Sequence, residues 1–184
     1  MLAVIKNLDD TNVEVQVHPA LVSKDHLLAS VNDVFNAVMV RGDLVGDTLF
    51  YGRGAGKLPT ASTVIGDLVD IARNLMAGTP RISPAIAVSS KPVKLKKHSE
   101  IEVRYYIRMA LNDVPGSLAT ITKILGDNNI SIASVLQQEN DENHYAQVVV
   151  VTHASKEKNF EKAFNLLGES GCVNGEIVRI KIED

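Results

Sequence analysis

Ile107–Val135 reads IRMALNDVPGSLATITKILGDNNISIASV, and its hydrophobic period changes twice. The strand pattern starts earlier, at Ile101. Ile101, Val103, Tyr105, Ile107, Met109 and Leu111 fall on one face, and Glu102, Arg104, Tyr106, Arg108 and Asn112 on the other. A period of two over this length predicts a long strand with one buried face. Asn112-Asp113-Val114-Pro115-Gly116 is a turn cluster. Leu118, Ile121, Ile124 and Leu125 then recur at helical spacing, and Asp127-Asn128-Asn129 stops that helix. Ile130, Ile132, Ser134 and Leu136 alternate again.

The pattern continues downstream. Asn140-Asp141-Glu142-Asn143 reads as a polar hairpin loop and His144 to Thr152 as a third strand. Phe160, Ala163, Phe164 and Leu167 mark a second helix, with Gly168 and Gly171 near its end. Val178, Ile180 and Ile182 form a fourth strand. The expected fold of residues 100–184 is a ferredoxin-like βαββαβ unit: a four-stranded antiparallel sheet with both helices on one face. The whole chain is expected to be α+β, with this domain preceded by a partial α/β segment. Residues 79–99 carry Pro80, Pro84 and Pro92 and the basic cluster Lys94, Lys96 and Lys97. They read as a linker or wrapping arm, with the basic cluster a solvated face.

Composition narrows the function. The chain has 184 residues, 45% hydrophobic and 22% charged, with a net charge of -3 and no basic stripe. Aromatic residues are 4% and Trp is absent, so nucleic acid is not an expected partner. Cys172 is the only cysteine. It rules out a disulfide within the chain and fits a reducing compartment. No apolar run is long enough to span a membrane, and MLAVIKNLDD lacks the pattern of a signal peptide. A cytoplasmic location is expected.

Residues 1–78 look less self-sufficient. Val13, Val15 and Val17 alternate in a strand ending at His18-Pro19. A short helix is expected over His26 to Val34, and strands over Ala37 to Arg41 and Asp47 to Tyr51. Gly52-Arg53-Gly54-Ala55-Gly56 then leads into a helix with Val64, Ile65, Leu68, Ile71, Ala72 and Leu75 on one stripe. Thr60 or Ser62 is its expected N-cap. Three strands and one helix do not obviously close a core, so this reads as part of a larger domain.

Two places could carry chemistry. The glycine loop precedes a helix, so its backbone N–H groups can approach an anion or cofactor; a tight structural turn explains it as readily. It is not a Walker A loop, which needs glycine where Tyr51 stands and Ser or Thr where Leu58 stands. It is not a Rossmann fingerprint, because the third glycine comes too early. The second place is Asn112-Asp113-Val114-Pro115-Gly116-Ser117-Leu118. There a glycine at a strand-to-helix turn leaves room for a ligand, and the helix start offers free N–H groups to a carboxylate. An ordinary βα turn is the alternative. The five histidines (His18, His26, His98, His144 and His153) have no metal-binding spacing. No serine sits in a nucleophile elbow. Asp43 and Asp47 read as loop-forming residues, and Cys172 has no basic neighbours. No metal site and no catalytic residue are expected in this chain.

The turn Asp113-Val114-Pro115-Gly116-Ser117-Leu118, the helix after it and the Asn129-Ile130-Ser131-Ile132 strand start resemble the ACT domain, a regulatory module of amino-acid metabolism. The resemblance implies side-by-side pairing of sheets and an amino-acid effector held by Asn112, Asp113, Pro115, Gly116, Ser117, Leu118, Asn129 and Ile130. Upstream, several blocks resemble the end of the catalytic domain of homoserine dehydrogenase. They are Val17-His18-Pro19, Val31 to Val38, Gly42-Asp43-Leu44-Val45-Gly46, Phe50 to Gly56, Pro59-Thr60-Ala61-Ser62 and Gly66-Asp67.

That family reduces aspartate semialdehyde to homoserine with NADPH or NADH, on the route to threonine and methionine. The resemblance implies that Gly54, Ala55, Gly56 and Thr60 approach the nicotinamide end of the cofactor or the substrate. Arg53 departs from the proline usual there. The family's Rossmann domain, catalytic lysine and acidic substrate-binding residues have no counterpart in this chain. The expectation is therefore the regulatory, C-terminal portion of such an enzyme, inactive alone, with NADP or NAD bound only by the full-length enzyme. The effector expected first is threonine. A homo-oligomer through the ACT sheets and the catalytic segment is also expected, and a ligand-independent dimerisation module is the alternative.

Overall fold

A computed structural model describes residues 1–78, 92–138 and 145–183. In chain order its elements are β1 (Leu2–Asn7), β2 (Asn12–His18), β3 (Ala20–Leu21), β4 (Phe35–Gly42), β5 (Gly46–Arg53), α1 (Lys57–Met76), β6 (Lys94–Leu95), β7 (Glu102–Asn112), α2 (Ser117–Asp127), β8 (Ile132–Gln138), β9 (Tyr145–Thr152), β10 (Ser155–Lys156), α3 (Glu157–Glu169) and β11 (Val173–Ile182). They form two compact units. One joins Met1–Leu21 to Lys91–Asp184, and the other is Val22–Ser90.

The first unit contains the βαββαβ sheet that the alternation predicts. Its strands run β3-β11-β7-β9-β8, and β7 pairs antiparallel with both β9 and β11. The inner face of β7, with Ile101 just before it, is buried throughout: Ile101, Val103, Tyr105, Ile107, Met109 and Leu111 all belong to the core. Ile121 and Leu125 of α2, and Phe160, Ala163 and Leu167 of α3, pack onto it. Full burial of one such aliphatic side chain contributes roughly 1.5–3 kcal/mol. Tyr105 makes edge contacts with Phe160 and Phe164 at 4.7 and 5.5 Å between ring centroids. Its hydroxyl donates to Glu157 Oε1 at 2.8 Å. Burial and that carboxylate push the phenol above its ordinary range.

The strands depart from the sequence reading where their pairing becomes irregular. β11 starts at Val173 rather than Val178, because a bulge between Asn174 and Val178 interrupts its period. Gly175 sits in that bulge at φ 75. Where β7 passes from β9 to β10, the Tyr105 N–H is met at 3.0 Å by the buried Thr152 hydroxyl instead of a carbonyl. The expected hairpin loop at Asn140–Asn143, and His144, lie outside the described residues, as do Pro80 and Pro84.

A second sheet of the same unit has the order β1-β2-β6. β1, β3 and β6 escape the sequence reading. β6 lies inside the expected linker, parallel to β2. Lys96 is not a freely solvated charge; its ammonium lies 3.4 Å from Glu14 Oε2. β3 continues the larger sheet by pairing parallel to β11, Ala20 opposite Lys181.

Val22–Ser90 is built from the antiparallel hairpin β4–β5 and helix α1. The helix expected at His26–Val34 is a short 3-10 turn, Leu27–Ser30, capped by His26 Nδ1 accepting from the Leu28 N–H. Asp47 forms a two-pronged bond with Arg41 across the hairpin, at 2.6 and 2.9 Å. The α1 stripe forms as its spacing predicts but buries nothing: Ile65, Leu68 and Leu75 are each at least 60% exposed. The N-cap of α1 is Gly56, not Thr60 or Ser62, and it makes no side-chain cap bond.

Two outcomes follow from this packing. Leu125→Ala, at a fully buried site, is expected to lower unfolding free energy by about 2–5 kcal/mol. Ile71→Ala on α1, at 57% exposure, should stay within about 0.5 kcal/mol; urea titration of both variants checks the contrast. Glu100 accepts from Lys156 and Lys158 at 2.6 and 2.7 Å. These bonds hold its carboxyl at about 2, below the ordinary 4.5. A carboxyl with a depressed folded value stabilises above its unfolded value and loses that contribution as pH falls toward 2. Glu100→Gln should therefore flatten the loss of stability between pH 4.5 and 2, read from thermal melts across that range.

Candidate functional site

The turn between β7 and α2 is built by one backbone conformation. Gly116 precedes α2 at φ 95, ψ -15, a left-handed geometry that glycine adopts without strain. A Cβ there would meet nothing within 4 Å, so the absent side chain leaves open space. The Val114 N–H donates to the Asn112 carbonyl at 2.9 Å, and the Ser117 N–H to the Val114 carbonyl at 3.2 Å. The Thr120 N–H and hydroxyl both donate to the Gly116 carbonyl. Among the described residues, no acceptor meets the N–H groups of Leu118 and Ala119. These are the orphan donors of a helix start, and with the helix dipole they favour an anionic group.

A cavity of about 330 Å³ opens at this turn. Leu111, Asn112, Asp113, Val114, Pro115, Gly116, Ser117, Leu118, Gln137 and Ala146 line it. The structure thus gathers Asn112, Asp113, Pro115, Gly116, Ser117 and Leu118 around one space. Asn129 and Ile130 lie elsewhere. Ile130 is in the core, and Asn129, at φ 57, accepts from the Ser155 hydroxyl through its carbonyl. The Asn112 side chain is already committed, donating to the Gly171 carbonyl at 3.0 Å. Gln137 and Ala146 are absent from the sequence reading, because only the register brings them to the turn: Ala146 stands opposite Leu111, and Gln137 opposite Val148. Chemically the cavity offers N–H groups to a carboxylate and the Asp113 carboxylate to an ammonium group.

The glycine loop is a second, separate place. Gly56 has φ 124 and ψ 153, a region open essentially to glycine alone. At Gly54 a Cβ would run into the amide of the exposed Asn36 side chain, so any side chain there would displace that amide. Ala55 is exposed between them. The Thr60 N–H donates to the Gly56 carbonyl at 3.1 Å. Among the described residues, no acceptor meets the N–H groups of Lys57 and Leu58. The loop can therefore meet one polar end of a cofactor with backbone donors. Among the described residues there is no grouping able to hold a metal ion, and no helix is long and apolar enough to cross a membrane.

Both turns fall within segments that match known families. Residues 1–69 match the family profile of homoserine dehydrogenase and residues 105–169 that of the ACT domain. The chain is 38% identical over 174 residues to a homoserine dehydrogenase of Neisseria gonorrhoeae, a match covering 93% of this chain and 40% of that protein. It is 39% identical over 180 residues to one of Pseudomonas aeruginosa, covering 95% and 41%. A solved homoserine dehydrogenase from Thiobacillus denitrificans superimposes with a TM-score of 0.81 at 35% identity, over 99% of this chain and 43% of that one. The Staphylococcus aureus enzyme at pH 7.5 gives 0.55 at 28%, over 98% and 40%. The chain thus spans about two-fifths of the length of the relatives it matches. Residues 1–69 are thus of homoserine dehydrogenase type and residues 105–169 of ACT type, an arrangement that matches the C-terminal part of these relatives.

Proposed function

We propose that this chain is the regulatory, C-terminal portion of an NAD(P)-dependent homoserine dehydrogenase, and that its ACT domain binds a feedback amino acid, threonine first among the candidates. The observation that carries the reading is the cavity of about 330 Å³ at the Asn112–Leu118 turn. A free amino acid is a zwitterion. Its carboxylate matches the unpaired N–H group of Leu118 at the helix start, and its ammonium group the Asp113 carboxylate. Gly116 keeps the space between them open. The effector acts by preferring one state of the domain over another.

In the longer enzyme, Gly54, Ala55, Gly56 and Thr60 form the part of the cofactor site that this chain supplies. A nicotinamide cofactor held there would supply the hydride chemistry. This chain's contribution is backbone N–H groups that orient one end of the cofactor or substrate. A second reading, assembly without ligand, is supported by the apolar stripe of α1, which buries nothing here, and by β8, an unpaired sheet edge.

Titration calorimetry with threonine, isoleucine and methionine tests the sensing role. Heat and a thermal shift are expected with one of them, and silence with all three defeats it. Gly116→Asp should abolish that binding by filling the open space with a second carboxylate. Forcing a side chain to φ 95 costs stability of about 1–2 kcal/mol, leaving the fold in place. A dimer by sedimentation with no response to amino acids would favour the assembly reading. The chain alone is expected to show no homoserine-dependent reduction of NADP; measurable turnover would defeat the assignment as a non-catalytic portion.

A further inference from the structure

We infer that the outer face of the ACT sheet, turned away from α2 and α3, is covered by a second copy of this chain in a two-fold symmetric contact. This surface is distinct from the β8 edge and from the α1 stripe, and the inference does not depend on amino-acid binding at the turn.

Strand register defines the face. Leu136, Val149, Arg108 and Val178 stand side by side across β8, β9, β7 and β11. Next to them run Val151, Tyr106 and Ile180. An antiparallel sheet with one face in water alternates apolar residues inward and polar residues outward. β9 departs from that rule: Val148 and Val150 fill the core, yet Val149 and Val151 on the opposite face are also apolar. Leu136, beside Val149, is 56% exposed. An apolar centre on an uncovered sheet face marks an interaction surface.

A groove of about 610 Å³ runs over this face, and Tyr106, Leu136, Val149 and Val178 line it together with Arg108 and Glu176. Glu176 belongs to the bulge that interrupts β11 between Asn174 and Val178. Arg108 and Glu176 are both exposed. Among the described residues, neither makes a hydrogen bond or an ion pair.

These two charges select the occupant. In an isologous contact, residue i of one copy meets residue j of the other, and j meets i. A two-fold axis lying between two such faces, midway between Arg108 and Glu176, sets each Arg108 over the other copy's Glu176. The pairing works for any separation of the two residues, and the apolar centre is buried with it. A partner carrying one sign of charge would satisfy one residue and repel the other. Sheets stacked face to face lie about 10 Å apart, a gap that an arginine and a glutamate side chain bridge from opposite sides.

Sedimentation velocity of the full chain over a micromolar to millimolar series tests the inference, and a reversible dimer is expected. Arg108→Glu and Glu176→Arg each place like charges at both symmetric contacts, so each variant should self-associate roughly tenfold more weakly. An equimolar mixture of the two variants restores opposite charges at both contacts and should form a heterodimer as tight as the unsubstituted dimer. A monomer throughout the series overturns the inference. So does a dimer that both variants leave unchanged, because association then uses another surface, such as the β8 edge. A mixture that associates no better than its components overturns it as well. Should either charge variant fail to fold, Leu136→Asp takes its place, and unchanged self-association in that variant overturns the inference equally.

Discussion

The fold depends on the inner face of β7. Six apolar side chains from Ile101 to Leu111 point into one core, and β9, β11, α2 and α3 all take their positions from it. The strand sits at the centre of its sheet, so its backbone groups are paired on both sides while its side chains hold both helices. That leaves the outer face of β7 and its ends as the places where the chain can do something else. At the C-terminal end it turns through Gly116 into α2, which creates the turn cavity. At the N-terminal end, Tyr105 reaches Glu157 and the polar seam with β2. The turn cavity and that polar seam are thus consequences of where the core stops.

Val22–Ser90 offers the opposite case. Its secondary structure is regular, with a full hairpin register and a long helix, yet none of its described residues is buried. Local propensity and hairpin pairing are enough to form these elements. They are not enough to bury an apolar stripe, which needs a second surface. That accords with a chain spanning two-fifths of its relatives. The glycine loop has the same character: Gly56 is set by its backbone geometry, and Gly54 lies close against the Asn36 side chain.

The contact between Met1–Leu21 and the ACT body differs in kind from the core. It is made of Glu14, Gln16, Lys96, Lys181 and Glu157 rather than apolar side chains. Such polar contacts fix geometry and contribute less to stability than the hydrophobic core does.

The sequence by itself determined the βαββαβ order, the buried face of β7, the two core-facing helices and the turn at Asn112–Leu118. Each is written in a local period or a turn composition, readable without knowing what lies across from it. The same local signals indicated the α1 stripe and the hairpin, but not that they would remain uncovered. Only the tertiary structure decided the rest. β1, β3 and β6 exist because β2 and β11 pair with them, and a short strand with a remote partner carries no period of its own. The burial of Glu14 and Gln16 in β2, with Val15 and Val17 exposed, was hidden for the same reason: alternation shows that two faces differ, not which one meets the protein. Gln137 and Ala146 joined the turn cavity through strand register. Alternation is a local property, whereas pairing, register and the choice of buried face belong to the whole chain.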